Sequence, residues 1–320
     1  MAKNNMSGRE AAIAIVGKRQ KFFEHYTAFR LSHHEIAPQL AIDYYAGYLL
    51  CTYYQNFAPA QLGDIAADFV QALRQAGLLF LGAVKKFRPE NLSHVVDDKR
   101  SEIYHPVALI GELPPSRFTI TENDLQFVVS FHEGFSTGLF LDIKYARRLV
   151  RQMLKPGDEV LNLFSYTGGF SIAAAKAGAG RVIEVDTGVK WLGWSQENQR
   201  LNAATVVRQR REDAVQFLHK QKAAAFDWII CDPPTYSTQK SGPRFTVEKS
   251  YRAMLAGLAR VLRPQGHLLA CTNYRGLTKK KFFGLFSPEF KLAQEVPSSE
   301  DFAGDDYLKV GLFKKRLQGF

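Results

Sequence analysis

Cysteine is scarce in this chain. Three residues in 320, Cys51, Cys231 and Cys271, are too few for a disulfide framework and fit free thiols in a reducing compartment. Long apolar runs are also missing. The longest, such as Ala11–Val16 and Leu78–Val84, span six or seven residues, whereas a membrane helix needs about 20. No membrane partner is expected. The opening MAKNNMSGRE has no apolar core and no small-residue cleavage pattern, so no signal peptide is expected and a cytoplasmic location is. Neither a G-x-G-x-x-G fingerprint nor a P-loop is present, which argues against dinucleotide and nucleoside triphosphate binding. His33-His34-Glu35 has no companion at metal-ligand spacing and reads as a solvated turn, so no metal is expected. Repeats and low-complexity tracts are absent.

Acidic residues are in deficit, 31 against 42 Lys and Arg, for a net charge of +11. The deficit is local. Residues 1–136 hold 13 basic and 14 acidic side chains, a net of −1, while residues 137–320 hold 29 and 17, a net of +12. A basic excess confined to one half is an electrostatic footprint for a polyanion, with nucleic acid the first choice, although many basic proteins gain only solubility from it. Hydrophobic residues at 46% and charged ones at 23% are those of a globular protein, and at about 150 residues per domain the length suggests two domains.

Helical spacing predicts a helix over Ala11–Leu31, and an amphipathic one over Ala60–Gln75 ended by Gly77. Ala41–Tyr45 and Tyr48–Tyr54 flank an Ala46-Gly47 turn as a hairpin. Leu78–Val84 reads as a buried strand, Arg88–Pro115 as irregular, and Phe118–Thr121 with Leu125–Phe131 as a second hairpin. After Gly138 strands and helices alternate: Glu159–Leu163, Arg181–Val185, Thr205–Gln209, Asp227–Cys231 and His267–Thr272 as strands. Between and before them lie helices at Lys144–Met153, Gly169–Ala177, Lys190–Ala203, Ala214–Gln221 and Lys249–Leu262. That alternation predicts an α/β, doubly wound, Rossmann-like sheet. Ligands bind such sheets at the carboxyl ends of the strands.

Candidate residues stand at those ends. Phe164-Ser165-Tyr166-Thr167-Gly168-Gly169 joins the first strand to its helix, and a glycine pair there lets backbone N–H groups approach a ligand, or simply makes a tight turn. Asp186 ends the second strand 18 residues after Gly168, where a carboxylate accepts ribose hydroxyls or caps the next helix. Asp213, in Glu212-Asp213-Ala214 after the third strand, accepts an exocyclic adenine amine or is a helix cap. Glycine turn, Asp186 and Asp213 in register make an adenosine pocket without phosphate-binding features, which suits S-adenosyl-L-methionine better than a nucleotide. The fourth strand ends in Asp232-Pro233-Pro234-Thr235-Tyr236. Two prolines fix an extended backbone there and forgo two N–H donors, leaving carbonyls, a carboxylate and an aromatic ring as a slot for a planar base, or making only a rigid turn. Lys279-Lys280-Lys281, following Arg275, is a solvated helix start or a phosphate contact, and Lys240 and Arg244 follow the proline slot as further candidates for the RNA backbone.

Thr137-Gly138-Leu139-Phe140-Leu141-Asp142, the run LNLFSYTG at 161–168, Trp194 with Asn198 and Asn202, and DPPTY at 232–236 together resemble class I S-adenosylmethionine-dependent methyltransferases of large-subunit ribosomal RNA. The guanine-N7 half of the bifunctional enzymes is most similar, and cytosine-C5 enzymes share the core. The likeness extends into 29–54, which looks like that protein's small accessory domain. No PUA-type segment and no second methyltransferase core is recognisable. The resemblance implies a small α+β accessory, RNA-recognition domain over 1–115, a linking hairpin over 116–136 and a methyltransferase domain over 137–320. It also implies 23S ribosomal RNA, or a pre-ribosomal particle, as partner. By position, Phe164 to Gly168 would cradle the methionine part of the cofactor, Asp186 the ribose, and Asp213 with Ala214 the adenine. Asp232, Pro233, Pro234 and Tyr236 would line the reacting centre. Where the family has Gln or His then Arg after Leu141-Asp142, Ile143-Lys144 stands here; Lys144 keeps a positive charge near the cofactor carboxylate but loses a bidentate grip.

The atom methylated turns on one position. Cytosine C5 needs a cysteine thiolate that adds to the ring, and in the related enzymes that cysteine follows the strand after DPP. Asn273 occupies the place here, and Asn273-Tyr274-Arg275-Gly276 resembles the Asn-Lys-Arg-Gly of the guanine-N7 enzymes. Cys271 falls two residues early and is expected inside the strand. Guanine N7 is therefore expected, with cytosine C5, an exocyclic amine, or a non-catalytic RNA-binding module as alternatives.

Overall fold

Ser7 opens the first helix with a reciprocal cap. Its hydroxyl accepts from Glu10 N–H while the Glu10 carboxylate accepts from Ser7 N–H at 2.8 Å, which satisfies two orphan donors of the first turn. In this computed structural model, residues 7–54, 57–89, 97–235, 247–287, 289–302, 304 and 306–316 are described. The chain divides into two compact units, Met1–Leu141 with Glu300–Ala303, and Asp142–Ser299 with Gly304–Phe320.

The first unit is built on a five-stranded sheet in the order β1 (Ala28–His33), β2 (Leu40–Tyr45), β3 (Tyr48–Tyr53), β4 (Gly82–Phe87), β5 (Val107–Gly111). All neighbours are antiparallel except β3 and β4, which α2 (Leu62–Gln75) connects. Leu62, Ala66, Phe69, Val70 and Leu73 recur at helical spacing on the buried face of α2, packing in one core with Phe29, Leu31, Leu49 and Ala83. A separate hairpin, β6 (Phe118–Glu122) and β7 (Leu125–Val129), follows α3 (Asp97–Tyr104) and β5.

Three expectations fail here. The helix predicted over 11–31 stops at Lys18, as α1 (Gly8–Lys18), and β1 begins at Ala28 within the predicted span. Arg19 explains the reversal: its guanidinium donates to Arg30 O at 3.0 Å and to Glu35 at 2.5 Å, folding the chain back on itself. The strand expected at 78–84 lies at 82–87, because β3 pairs with 82–87 and leaves Leu79 exposed. The stretch 88–115 contains α3 and β5, whose strand character comes from pairing with β4. The turn expected at His33-His34-Glu35 is present at His34 and Glu35, with Glu35 exposed, whereas His33 belongs to the strand. His33 ends β1, its ring lies 5.4 Å from Phe302, and Glu35 is ion-paired with Arg19. Among the described residues no cluster of metal-ligating side chains occurs.

The second unit is a seven-stranded sheet. Its order is β10 (Val207–Arg211), β9 (Arg181–Asp186), β8 (Glu159–Leu163), β11 (Phe226–Cys231), β12 (Leu262–Thr272), β14 (Lys309–Lys315), β13 (Phe290–Val296). The first five run parallel, and β14 is antiparallel to both its neighbours. Crossover helices α5 (Gly169–Lys176), α6 (Val189–Leu201), α7 (Ala214–Lys220) and α8 (Val247–Val261) join the parallel strands, after α4 (Lys144–Met153). The central strands are apolar on both faces, with Val160, Leu161, Ile229, Ile230, Leu268 and Leu269 fully buried, as a sheet covered on both sides requires. β10, at one edge, is arginine-rich and exposed, a common guard against edge pairing. The Rossmann-like α/β prediction holds; β13, β14 and the short α9 (Lys279–Gly284) extend it.

Candidate active site

Between β8 and α5 the chain turns through three left-handed residues, Phe164 (φ 57°), Tyr166 (φ 51°) and Gly168 (φ 79°). Such conformations cost about 1–3 kcal/mol each for residues bearing a Cβ and persist only where surroundings fix them. Here they do. Ser165 N–H donates to Val185 O, Gly168 N–H to Ser165 O, and Asn198 Nδ2 to Thr167 O at 2.8 Å. A Cβ on Gly168 would fall 2.3 Å from Ser195 Oγ, so glycine is required both by φ and by space.

Beneath the turn lies a residue that the sequence reading missed. Glu184, fully buried on β9, accepts on Oε1 from Ser195 Oγ (2.7 Å), Gln199 Nε2 (2.9 Å) and Gln209 Nε2 (2.6 Å). Burial pushes its carboxyl up, against the hydrogen bonds that lower it. The only signal was one acid inside the apolar strand RVIEVD. Asn162 Nδ2 donates to Ser171 Oγ at 2.9 Å in the same buried polar layer.

Asp186 closes the loop from the end of β9. Its Oδ2 accepts from Tyr166 N–H at 2.9 Å and its Oδ1 from Gly188 N–H at 2.8 Å. The N-cap of α6 is Gly188, so Asp186 is not the helix cap. The Tyr166 ring packs 4.7 Å from Trp191. Asp213 is a cap: its Oδ1 accepts from Val215 and Gln216 N–H, and neither bond uses Oδ2. With Thr187, Arg211 and Glu212 it lines an open pocket of about 400 Å³, and Ala214 is buried behind it.

The ends of β11 and β12 form the other part. Asp232 is partly buried and Pro233 buried, while Pro234 is exposed. Burial, then the neighbouring Asp142 charge, push Asp232 up to about 7. Thr235 Oγ1 donates to Asn273 Oδ1, so the two loops meet. Cys271 is wholly buried, its thiol raised well above the ordinary value by burial, and its N–H donates to Tyr251 Oη at 3.1 Å. Lys144, the first residue of α4, is also buried. Arg275 is exposed, over the Tyr307 ring. Lys279 pairs with Glu295 at 2.5 Å, while Lys280 and Lys281 are exposed on α9, which they help to open. Tyr236, Lys240 and Arg244 lie outside the described residues.

The turn, Asp186 and Asp213 thus stand at the carboxyl ends of three adjacent parallel strands, and Asp232 and Asn273 at the next two. Residues 31–297 match the family of S-adenosylmethionine-dependent methyltransferases. The chain belongs to this family. The methyltransferase is 31% identical over 319 residues to YwbD of Bacillus subtilis, a candidate ribosomal RNA large subunit methyltransferase, covering 93% of this chain and 78% of the relative. It is 32% identical over 241 residues to ribosomal RNA large subunit methyltransferase K/L of Alteromonas mediterranea, covering 74% of this chain but only 33% of that much longer protein. Among solved structures, that of the candidate methyltransferase SMU.776 with S-adenosylhomocysteine superposes with a TM-score of 0.79 at 26% identity, covering 98% and 83% of the two chains.

The residues present fit the cofactor. Ser165 Oγ is buried with no hydrogen-bond partner among the described residues, beside a turn with no room for a Cβ at Gly168, so the turn offers a bound cofactor an unused hydroxyl. Among the described residues no helix is long and apolar enough to cross a membrane.

Proposed function

We propose that this methyltransferase modifies guanine N7 in large-subunit (23S) ribosomal RNA, as free RNA or in an assembling particle, in the cytoplasm. The observation that carries the choice of atom is the burial of Cys271 together with Asn273 at the place a nucleophilic thiol would need. When bound, S-adenosylmethionine supplies a methyl group on a sulfonium, electrophilic enough for an in-plane ring nitrogen. Guanine N7 already carries such a lone pair, so the protein's task is placement.

In this reading Phe164 to Gly168 receive the methionine part. Asp186 serves the ribose with the second lone pair of each oxygen, since the first is engaged by Tyr166 and Gly188. Asp213 offers Oδ2 to the adenine amine beside Ala214, and Lys144 balances the cofactor carboxylate. Asp232, Pro233, Pro234, Tyr236 and Asn273 shape the slot for the base. Arg275, Lys280 and Lys281, with Lys240 and Arg244, meet phosphates, whereas Lys279 must first leave Glu295. Residues 1–115 act as the RNA-recognition domain and 116–136 as the hairpin joining it to 137–320. The relatives' names and the +12 charge of residues 137–320 support RNA as the polyanion.

A second reading, methylation of an exocyclic amine, draws on Asp232, whose raised pKa near 7 suits a group that takes up a proton. Nucleoside mass mapping of ribosomal RNA incubated with enzyme and cofactor distinguishes the readings. 7-Methylguanosine is expected; 5-methylcytidine or an N-methylated amine would replace the proposal, and no methylated nucleoside would favour a binding module.

A further inference from the structure

β14 contributes more than an extra strand. Its first residue, Lys309, is buried, and its ammonium donates to Tyr274 O at 2.9 Å and to Tyr307 O at 2.8 Å. A buried ammonium is tolerated only where its donors are occupied, and these join the segment leaving β12 to the one entering β14. Two residues earlier, Tyr307 reaches in another direction. Its hydroxyl donates to Asp142 Oδ2 at 2.6 Å, and the Arg275 guanidinium lies 4.9 Å from its ring centroid. Asp142 is the charge that acts on Asp232, and Thr235 of the Asp232 loop meets Asn273. The contacts therefore form a chain from Asp142 through Tyr307, Lys309, Tyr274 and Asn273 to Thr235, three residues after Asp232. Neither Tyr307 nor Lys309 belongs to the strands whose ends carry the methyltransferase motifs.

We propose that Tyr307 and Lys309 are positioning residues for the acceptor base, clamping Asn273–Arg275 against the Asp232 loop. The inference rests on the proposed function in taking that loop pair as the acceptor slot. Methyl transfer needs the accepting atom in line with the bond that breaks, and a misplacement of about 1 Å can cost about 100-fold in rate. Strand pairing ends at Thr272 and Lys309, so beyond it Asn273–Arg275 are held by the Lys309 and Thr235 bonds together with Tyr274 N–H to Thr272 Oγ1 at 3.2 Å and Leu277 N–H to Tyr274 O.

Tyr307→Phe deletes one hydroxyl and keeps the ring, and Lys309→Met keeps the aliphatic stem. Tyr307→Phe is expected to lower kcat about tenfold, with KM for RNA and the Kd for S-adenosylhomocysteine within about twofold of the original. Lys309→Met is expected to speed amide exchange in peptides spanning 272–277 while leaving 164–168 unchanged. An unaltered kcat in Tyr307→Phe, or a loss matched by an equal loss of S-adenosylhomocysteine affinity, overturns the positioning role. If Lys309→Met does not fold, exchange over 272–277 in Tyr307→Phe is read instead, and faster exchange there supports the clamp. A wild-type protein that methylates no RNA would refute the proposed function; exchange over 272–277 then still decides the clamp, and no change in either variant overturns it.

Discussion

The two halves of the site are built from different materials. At the ends of β8, β9 and β10 the proposed cofactor side is a backbone turn bent through left-handed residues above buried Glu184, Ser195 and Asn198, with the Asp186 and Asp213 carboxylates beside it. At the ends of β11 and β12 the proposed acceptor side is made of loop residues, Asp232, Thr235, Asn273 and Tyr274, with Thr235 bonded to Asn273 and Lys309 to Tyr274 O. A cofactor of constant shape can be met by fixed backbone. An acceptor that is one base within a large RNA, as proposed, would be met by side chains on loops outside the sheet.

Gly168→Ala should break the comparison most severely. The new Cβ meets Ser195 Oγ at 2.3 Å in a backbone at φ 79°, and calorimetric titration should show S-adenosylhomocysteine affinity down by about 100-fold or more. Asp186→Asn comes next. An amide can accept on one atom only, so either Tyr166 N–H or Gly188 N–H loses its partner, with about a tenfold loss of affinity. Unchanged binding by Asp186→Asn would show that the backbone turn stands without its carboxylate.

On the proposed acceptor side the expected effects are in pH and rate. Asp232 titrates near 7 in the folded protein against a model-peptide value of 3.8. Between those values the folded state holds a proton that the unfolded state has released, so stability falls as pH rises from about 4 to 7. Thermal melts of Asp232→Asn should show a flatter pH dependence over that window, and equal slopes in the two proteins would contradict the raised pKa. The smallest effect belongs to Cys271→Ala. Activity should stay within about twofold, at a packing cost of about 1 kcal/mol; a large loss of rate in a folded variant, or a covalent RNA adduct in wild type, would move the acceptor to cytosine C5.

Legibility followed the range of the interactions. The alternation of strands and helices after Gly138 was readable because each buried parallel strand is a short apolar run and each helix keeps its own period. Asp186 and Asp213 were readable because chain spacing alone puts them at strand ends. Ala11–Leu31 misled because a segment free of proline can be helix or strand, and Arg19 settled it by bonding to Arg30 and Glu35. β13 was invisible for another reason: five consecutive residues, 291–295, are exposed on an edge strand, so no apolar alternation marks it.

By itself the sequence determined the α/β order of the methyltransferase unit, the glycine turn, the acids at the strand ends and the absence of a thiol at Asn273. These depend on local preference and on counting along the chain. Only the tertiary structure decided that Glu184 lies beneath the turn, that Asp142 acts on Asp232, that β14 enters between β12 and β13, and that Tyr307 and Lys309 reach Asp142 and Tyr274. Asp142 and Tyr307 are 165 residues apart in the chain and 2.6 Å apart in space; a contact of that kind is set by the summed packing of the sheet, and no local pattern encodes it.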